Sequence, residues 1–578
     1  MISRRDFLWI SGMASAAALM NWQCPAWAKG GSTNGDKYDV IIIGAGLGGL
    51  SCAAWLVQSG YRPLVIDQRD KVGGYATSFQ RDGFTCEVSL HGITGSPVTL
   101  NVLNQLFGPN LNNVLIPHEY SWNALYPYNP VPDFSSDTPD GISELDPNGL
   151  AACYRNGLAL DFPTGMPGGA TGIQQMTDML LPMFPEESTQ LARYMANWEI
   201  LLSEIGQFYA EVPENGMPPL DAFFRSYPTW ARMIGKTLAD HMSEYGIRNQ
   251  KLRGILSQSW GYYGLPPSQL PAWFYLWTTG WYHNYGKFYI RGTSQTLSDA
   301  LAGLVMQAGG GILLDTEVKE IILENGKAVG VKTEDNAYYS KAVVSNASVL
   351  QTFGRLLPES EVPSKYTKQI NRYRPSISHT SVWLGLNQDI SYDIHQSDLF
   401  IYPDYDPEKT YKASMRRGNP YGAGIALMNY DRLIEGFSPK GKSLISLMLL
   451  SGYEPWQKYE QEYFSGDKER YYRRKEHVTR DIIRMAEQSV LPGLSDMIIM
   501  EESSTPLTNV RFTGNTQGAI YGFEQIRDNS GFKRIGNRSP IEGLYLSGAW
   551  TYPGGSFELV MLSGKEALKC MVEDGVLG

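Results

Sequence analysis

Three glycines in the segment GAGLGG have the types and spacing needed to hold a phosphate group. Gly44, Gly46 and Gly49 follow the apolar run YDVIIIG and precede LSCAAWLVQSG, which has helix-forming composition and ends at Gly60. In this setting the first glycine permits a tight turn, the second lets a pyrophosphate approach the backbone, and the third lets helix and strand pack closely. The pattern predicts a strand, turn and helix whose positive end faces a dinucleotide.

A carboxylate and two further glycines indicate which dinucleotide is bound. Asp67 ends the next apolar segment, RPLVID, where its side chain can accept both hydrogen bonds of a ribose diol. Gly73 and Gly74 follow in DQRDKVGGYATSF, an extended pattern that resembles the flavoprotein version of the motif. We therefore expect FAD rather than NAD, although an ordinary surface turn is the alternative interpretation of the paired glycines.

Aromatic residues are concentrated in SWGYYGLPPSQLPAWFYLWTTGWYHNYGKFYIRG. We predict that Trp260, Tyr263, Trp277 and Trp281 line an apolar tunnel, because pockets for small molecules are lined mainly by apolar and aromatic side chains. Core packing is the alternative for each ring, since aromatic residues also dominate cores. A tyrosine-rich wall would equally suit a small aromatic or amine substrate.

The elements that must position these groups lie far apart in the chain. A helical pattern covers GTSQTLSDALAGLVMQAGGG, and two strand-like stretches meet at Asn325-Gly326, a strong hairpin signal. KAVVSNAS predicts a returning strand, and LYLSGAWTYPGGSFELV predicts a strand that ends at Gly548, a loop and a helix starting near Phe557. We therefore predict an α/β chain with a discontinuous nucleotide domain (36–100, 286–351 and 505–578) interleaved with an α+β substrate domain (101–285 and 352–504).

Composition excludes several classes of function. A net charge of −10 and a pI near 5.4 argue against nucleic acid as a partner. The five cysteines form no CxxC or CxxCH motif, which argues against covalent haem and iron–sulfur clusters, and leaves a disulfide open. Single, scattered histidines predict no metal site.

The N-terminus has the layout of a signal peptide. Arg4 and Arg5 in SRRDFL precede an apolar run from Phe7 to Met20, and PAWAKG offers a cleavage site ending at Ala28. SRRDFL resembles the twin-arginine export motif, which predicts a signal peptide over 1–28, use of the twin-arginine machinery and a periplasmic location. An ordinary basic region and a retained anchor are the alternatives.

Segments from the start, middle and end of the chain together resemble one family. GAGLGG with VGGYATSF, YIRGTSQTLSDALAGLVMQAGGGILLDTEVKEII, TPLTNVRFTGNTQGAIYGFEQ and YLSGAWTYPGGSFELVMLSG are similar to the phytoene desaturase, carotenoid isomerase and retinol saturase family of FAD proteins. The resemblance implies a Rossmann-like, glutathione reductase-like FAD domain. It also implies cofactor contacts from Arg69, Val318, Gly548, Gly554 and Gly555.

Two residues are candidates for catalysis through the same resemblance. His91, in EVSLHGITG, follows the flavin-proximal glycines, and Glu558 stands where the family normally has a small residue. Both are expected near the reactive side of the flavin. A structural hydrogen bond is the alternative role of His91.

The resemblance implies hydride transfer between flavin and an apolar unsaturated substrate, as in a desaturase or saturase of a carotenoid, isoprenoid or related lipid. A redox-neutral isomerase, an amine or amino-acid oxidase and a flavin-binding protein without activity are the alternatives. The expected electron partner is a quinone or an exported redox protein, and peripheral contact with a membrane is left open. A single nucleotide motif gives no reason to expect NAD(P)H as a stable partner.

Overall fold

The computed structural model of the chain describes residues 38–108, 114–128, 147–154, 157–165, 169–211 and 219–578. Its strands are β1 (Val40–Ile43), β2 (Pro63–Ile66), β3 (Ser78–Arg81), β4 (Phe84–Glu87), β5 (Ile93–Thr94), β6 (Leu115–Pro117), β7 (Trp122–Tyr126), β8 (Leu158–Phe162), β9 (Lys287–Ile290), β10 (Gly311–Leu313), β11 (Glu320–Glu324), β12 (Lys327–Lys332), β13 (Ala337–Tyr339), β14 (Ala342–Ser345), β15 (Ser378–Leu386), β16 (Asp398–Ile401), β17 (Ile425–Asn429), β18 (Ser443–Ser451), β19 (Ile498–Ser504) and β20 (Leu544–Leu546).

The α-helices of the described residues connect these strands, and several of them form a separate layer. They are α1 (Leu47–Gln58), α2 (Pro97–Phe107), α3 (Pro147–Tyr154), α4 (Gly172–Leu180), α5 (Ser188–Glu211), α6 (Leu220–Ser226), α7 (Pro228–Met233), α8 (Leu238–Glu244), α9 (Gln250–Leu256), α10 (Ala272–Tyr285), α11 (Ser294–Gln307), α12 (Val349–Gly354), α13 (Ser364–Ile370), α14 (Pro407–Arg416), α15 (Pro420–Ala423), α16 (Glu454–Gln457), α17 (Glu460–Ser465), α18 (Glu469–Ser489), α19 (Leu494–Met497), α20 (Pro506–Thr513) and α21 (Phe557–Glu573).

A parallel sheet with the strand order β10-β2-β1-β14-β20 forms the base of the first lobe. Its strands come from all three segments that were predicted to form the nucleotide domain. Helices α1, α11 and α21 pack together beside this sheet. The close approach of α21 to α1 depends on Gly564, where a Cβ would lie 2.3 Å from Oγ of Ser51. The first and last parts of the chain are therefore neighbours in this lobe.

The hairpin predicted at Asn325-Gly326 is confirmed. Strands β11 and β12 pair antiparallel, and the two turn residues have φ values of 53° and 79°. Positive φ at both central positions is what a two-residue turn needs to match the twist of the flanking strands. The helix and strand predicted on either side of the hairpin are confirmed as α11 and β14.

The second lobe is built on a seven-stranded sheet with the order β19-β15-β18-β17-β16-β7-β8. Its strands pair antiparallel except for β16 and β7, which run parallel. Alternate residues of β15 face opposite sides of the sheet, as the two-residue period of a strand requires. Val382 and Leu384 pack in the same core as Ile482 of α18, whereas His379 and Trp383 face the first lobe. One face of this sheet is thus free to form the wall of a site.

A helical layer covers one end of the second lobe. Helices α4 to α10 bury a core of large aromatic and aliphatic side chains, including Trp198, Trp230 and Tyr275. A small sheet in the order β5-β9-β6 joins this layer to the nucleotide lobe. No helix of the described residues is long and apolar enough to span a bilayer.

Candidate functional site

One cavity of about 1110 Å³ runs between the two lobes. Gly44, Asp67 and Asn346 line it from the carboxyl ends of β1, β2 and β14, the edge where open α/β sheets bind ligands. Trp383 and Met448 line it from the seven-stranded sheet. The predicted nucleotide site and the face of the second sheet therefore share a single space.

The glycine turn that begins α1 leaves backbone groups open to a ligand. Gly44 has a φ of 98°, which favours glycine, and Gly46 caps α1 without a side-chain hydrogen bond. The first turn of α1 carries no acidic residue, so its free N–H groups suit an anion such as a pyrophosphate. Gly49 lies beneath the cavity wall, and a Cβ there would be 2.1 Å from the carbonyl oxygen of Gly44. The arrangement fits the roles predicted for all three glycines.

The carboxylate of Asp67 is fixed by the backbone at the end of β2. The N–H of Ala45 donates to Oδ2 at 2.6 Å, and the N–H of Arg69 donates to Oδ1 at 2.8 Å. Burial raises the pKa of Asp67, and these two hydrogen bonds oppose that increase. The cavity wall also contains Arg69, whose guanidinium lies 4.8 Å from the ring centroid of Phe512, and Val318. A ribose at this position would meet a carboxylate that is already oriented.

Gly73 and Gly74 bring a second loop against the phosphate-binding turn. The N–H of Gly73 donates to the carbonyl of Ala45 at 2.8 Å, and Gly73 forms an isolated β-bridge with Gly46. Their φ values are 119° and 62°, and both residues line the cavity. A Cβ at Gly74 would lie 3.3 Å from Cα of Gly46, so a larger residue would press on the turn.

The C-terminal segment closes the cavity from the other side. Gly548 and Gly555 line it, whereas Gly554 lies outside the lining and next to Gln525. Gly548 has a φ of 96°, and a Cβ there would be 2.3 Å from Oδ1 of Asn346. The helix predicted near Phe557 begins there as α21.

The two predicted catalytic residues both line the cavity. The side chain of Glu558 is buried, and its Oε1 accepts a hydrogen bond from the N–H of Thr94 at 2.7 Å. Burial raises the pKa of Glu558 despite that hydrogen bond. Burial lowers the pKa of His91 to about 3, with a further contribution from the charge of Lys287. At neutral pH the imidazole of His91 is therefore uncharged, and Glu558 holds a proton more strongly than an exposed carboxyl group does.

Only one of the four aromatic residues predicted to line a tunnel contributes to the wall of this cavity. Trp260 does so, whereas Tyr263, Trp277 and Trp281 pack in the core of the helical layer. The hydroxyl of Tyr263 forms hydrogen bonds with Thr278 and Thr279. The physical reason for the two tryptophans is that they lie on the side of α10 that packs against Tyr209 of α5, whereas Tyr282 lies on the side that faces the cavity. Other rings line the cavity: Tyr262 and Tyr282, from the same aromatic segment, and Trp122, Phe400 and Tyr521, which the prediction did not include.

These features fit a dinucleotide whose pyrophosphate meets α1 and whose ribose meets Asp67. Residues 47–571 match the model of a family described as flavin containing amine oxidoreductase. The chain belongs to this family. It is a flavin-dependent oxidoreductase, and the prediction of FAD as its cofactor is confirmed.

Curated relatives match nearly the whole chain. A 4,4'-diapolycopene oxygenase of Methylomonas sp is 28% identical over 93% of this chain and 99% of its own length. An all-trans-retinol 13,14-reductase of Danio rerio is 23% identical over 89% and 82%, and a chloroplastic prolycopene isomerase of Daucus carota is 24% identical over 91% and 79%. The predicted resemblance to carotenoid desaturases, isomerases and saturases is thereby confirmed.

A solved structure of the amine oxidoreductase type shares the fold. Cyclohexylamine oxidase from Brevibacterium oxydans matches with a TM-score of 0.55 at 15% identity, covering 93% of this chain and 99% of its own. The predicted fold class, a Rossmann-like FAD domain interleaved with an α+β substrate domain, is confirmed. The individual domain boundaries stay predictions.

The sequence reasoning missed one residue of the cavity wall, Asn346, and one buried residue outside that wall, Arg534. Asn346 follows β14 and lies beside Gly46, Gly48 and Gly548, so its amide fills the space that the glycines leave. Its position at the carboxyl end of a strand was the available signal. Arg534 is buried and donates to the carbonyl oxygens of Thr551 at 2.8 Å and Phe523 at 3.3 Å. It fixes two C-terminal loops of this flavoprotein together, which no local pattern reveals.

A third residue that was missed is His379 on β15. Its Nδ1 lies 2.9 Å from Oγ of Ser381, while Nε2 is buried without a partner among the described residues. Burial lowers the pKa of His379 to about 4, so this ring is also neutral at ordinary pH. The flavoprotein cavity is therefore lined by two uncharged histidines, His91 and His379, and by Glu558, a buried carboxyl group whose pKa is raised.

Proposed function

We propose that this FAD-dependent oxidoreductase transfers hydride between flavin and an apolar unsaturated substrate, as a desaturase or saturase of a carotenoid, isoprenoid or related lipid. The observation that carries the proposal is the continuity of the cavity. One space extends from the glycine turn at Gly46 to a wall of aromatic rings that includes Trp122, Tyr262 and Phe400. Aromatic walls favour planar, unsaturated chains, because burial of apolar surface contributes about 25 cal/mol per Å².

The chain's own groups bind and orient the two reactants. The free N–H groups at the start of α1 and the carboxylate of Asp67 would hold the pyrophosphate and a ribose of FAD. When bound, FAD supplies the centre that accepts or donates hydride. The loop at Gly73 and the loop at Gly555 both contribute to the wall of the cavity.

Glu558 is the proposed proton carrier. Saturation of a double bond adds a hydride to one carbon and a proton to its neighbour, and desaturation removes both. The carboxyl group of Glu558 lines the cavity, is oriented by the N–H of Thr94, and has a raised pKa because of burial. These properties suit a general acid or base. His91, uncharged at neutral pH, would orient the substrate by hydrogen bonding.

Redox-neutral isomerisation of a double bond is the second candidate. It is favoured by the match to a prolycopene isomerase over 91% of this chain, at an identity close to that of the retinol reductase. Isomerisation consumes no net hydride, so it requires the same binding site but no electron partner. The 4,4'-diapolycopene oxygenase is more similar, at 28% identity, which favours the redox activity as the first candidate.

Anaerobic flavin spectroscopy tests the proposed function. The oxidised holoprotein is mixed with polyenes, isoprenoids, unsaturated fatty acids and amines, and the reduced holoprotein with the same panel. We expect a polyene or isoprenoid to bleach the oxidised flavin or to reoxidise the reduced flavin. Product formation without a net change in flavin absorbance would support the isomerase, and rapid bleaching by amines alone would overturn the lipid substrate.

For the cellular setting we propose export by the twin-arginine pathway and electron exchange with a quinone or an exported redox protein. This proposal rests on SRRDFL and the run that follows it. Residues 1–28 lie outside the described residues.

A further inference from the structure

One end of the cavity is a compact set of rings, which we call the aromatic end wall: Trp122, Tyr262, Phe400 and His91. Trp122 stacks on Phe400 with ring centroids 4.0 Å apart, and the edge of Tyr262 meets Trp122 at 4.6 Å. The ring of His91 lies 6.0 Å from that of Tyr262 and 6.4 Å from that of Phe400. The four side chains come from separate parts of the chain and hold one another in place.

The aromatic end wall presents hydrogen-bonding groups that the protein does not use. The hydroxyl of Tyr262 is buried and has no partner among the described residues. The ring of His91 is neutral, so one of its nitrogens is a donor. A buried polar group without a partner is unfavourable, which means that a ligand with an acceptor atom would be stabilised at this end.

A buried ammonium group lies directly behind the wall. Nζ of Lys287 is 5.6 Å from the ring centroid of Trp122 and 5.9 Å from those of Tyr262 and Phe400. Its side chain is fully enclosed. The chain makes room for the lysine at Gly92, where a Cβ would lie 2.6 Å from Cγ of Lys287. The ammonium is therefore part of the construction of this wall.

The counter-ion of Lys287 is set further back. Asp398 forms an ion pair with Lys287, and its other oxygen lies 3.4 Å from Nδ1 of His118 and 3.4 Å from Nδ2 of Asn123. Burial would raise the pKa of Asp398, but Lys287 and His118 hold it below the usual value. Of the two charged groups, Lys287 is the one that lies close to three rings of the wall.

This position of Lys287 has a consequence for ligands. A cation is attracted to the negative face of an aromatic ring. Here the ammonium group of Lys287 already makes this interaction with three rings of the wall. An ammonium group at the end wall would be repelled by the charge of Lys287, even though the Tyr262 hydroxyl and a neutral imidazole can accept its hydrogen bonds. A hydroxyl or carbonyl oxygen would accept hydrogen bonds from the same two groups without that repulsion.

We propose that the aromatic end wall binds an uncharged, oxygen-bearing end of the substrate, a hydroxyl or carbonyl group, and excludes a cationic end. The inference rests on the proposed function, because it specifies the polar end of the otherwise apolar substrate that is proposed to occupy the cavity. Tyr262 and His91 would bind the oxygen, and Lys287 would act through the rings as a residue that determines specificity.

Equilibrium dialysis of the holoprotein with dodecane, dodecan-1-ol and dodecylamine tests this assignment, because the three ligands share one chain length. We expect the alcohol to bind at least tenfold more tightly than the amine. Tyr262→Phe should weaken binding of the alcohol three- to tenfold and leave the alkane unchanged. Tyr263→Phe is the matched control, since it removes a hydroxyl that hydrogen-bonds to Thr278 and Thr279 away from the cavity.

A double variant tests the field behind the wall. Lys287→Met with Asp398→Asn removes both charges together, since removal of one would leave a buried, unpaired charge. The amine should then bind at least fivefold more tightly than it does to the wild type. Lys341→Met with Asp39→Asn, which removes a partly exposed pair whose atoms are 2.8 Å apart, should change nothing.

The outcomes separate this inference from the proposed function. Binding of the amine as tightly as the alcohol, or an effect of Tyr262→Phe no larger than that of Tyr263→Phe, would overturn the inference alone. If none of the three ligands binds while a polyene or isoprenoid still bleaches or reoxidises the flavin, the inference fails and the proposed function stands. If the double variant does not retain FAD, the comparison of Tyr262→Phe with Tyr263→Phe tests the inference by itself.

Discussion

Substitution of Gly46 by alanine should separate cofactor binding from folding. Gly46 has a φ of −68°, which any residue adopts, so alanine introduces no backbone strain. A Cβ at this position would lie 2.8 Å from Nδ2 of Asn346, a side-chain atom that can move. Gly49 differs, because its Cβ would lie 2.1 Å from the carbonyl oxygen of Gly44, which cannot move without distorting the turn. We expect Gly46→Ala to fold and Gly49→Ala not to fold.

The size of the effect follows from the contacts. Displacement of Asn346 gives up only its long, 3.4 Å hydrogen bond to the carbonyl of Gly44, so the free energy of unfolding should fall by about 1 kcal/mol. A pyrophosphate pushed away from two N–H groups loses two hydrogen bonds to a charged group, each worth about 1.5–3 kcal/mol. The sum corresponds to FAD binding that is about 10² to 10⁴ times weaker.

Titration calorimetry of the apoprotein with FAD, together with the ratio of flavin to protein after purification, measures this loss. Gly60→Ala is the control, because Gly60 has a φ of 85° and an added Cβ would have no other atom within 4 Å. It should cost about 1–2 kcal/mol of stability through backbone strain and leave FAD binding intact. Stoichiometric FAD in Gly46→Ala, with a Kd within threefold of the wild type, would refute the assignment of this turn to the pyrophosphate.

Three further predictions concern catalysis and export. Glu558→Gln should retain FAD but lower kcat at least tenfold in stopped-flow assays. If Glu558 is the acid, the activity that it supports is present at low pH and is lost as the pH rises through its raised pKa, so the variant should lose this part of the pH–rate profile. Equal losses of FAD and turnover would make the residue structural. His91→Gln should change turnover without altering the pH profile between about pH 5 and 8, because the ring is already neutral there; a lost ionisation in that range would contradict the lowered pKa. Arg4→Lys combined with Arg5→Lys should leave folded, yellow protein in the cytoplasm on cell fractionation, and normal export would contradict the twin-arginine prediction.

The nucleotide half of the site could be predicted because its information is local. Gly44, Gly46 and Gly49 lie within one turn, and Asp67 ends the next strand, so spacing alone relates them to a common ligand. The hairpin at Asn325-Gly326 is equally local, since two residues determine its turn. Short-range geometry of this kind leaves a pattern in the sequence.

The substrate half could not be predicted because its contacts are long-range. Lys287 and Asp398 form an ion pair although they are 111 positions apart in the chain, and the sequence around each residue does not indicate the other. Trp277 and Trp281, one helical turn apart on α10, form the apolar stripe expected of either a tunnel or a core. Only the packing of α10 against the other helices decides between the two, and the sequence of α10 does not contain that information.

The order in which the parallel sheet is assembled matters for how the protein is made. β1 lies between β2 and β14, and β14 in turn pairs with β20, which comes after all of these strands in the chain. A nascent chain that ends before Gly548 lacks the loop and the helix that close the cavity around Asn346. Synthesis must therefore have passed α21 before the cofactor can be enclosed. A translation pause or a truncation before Gly548 would release an open, colourless chain exposed to proteases.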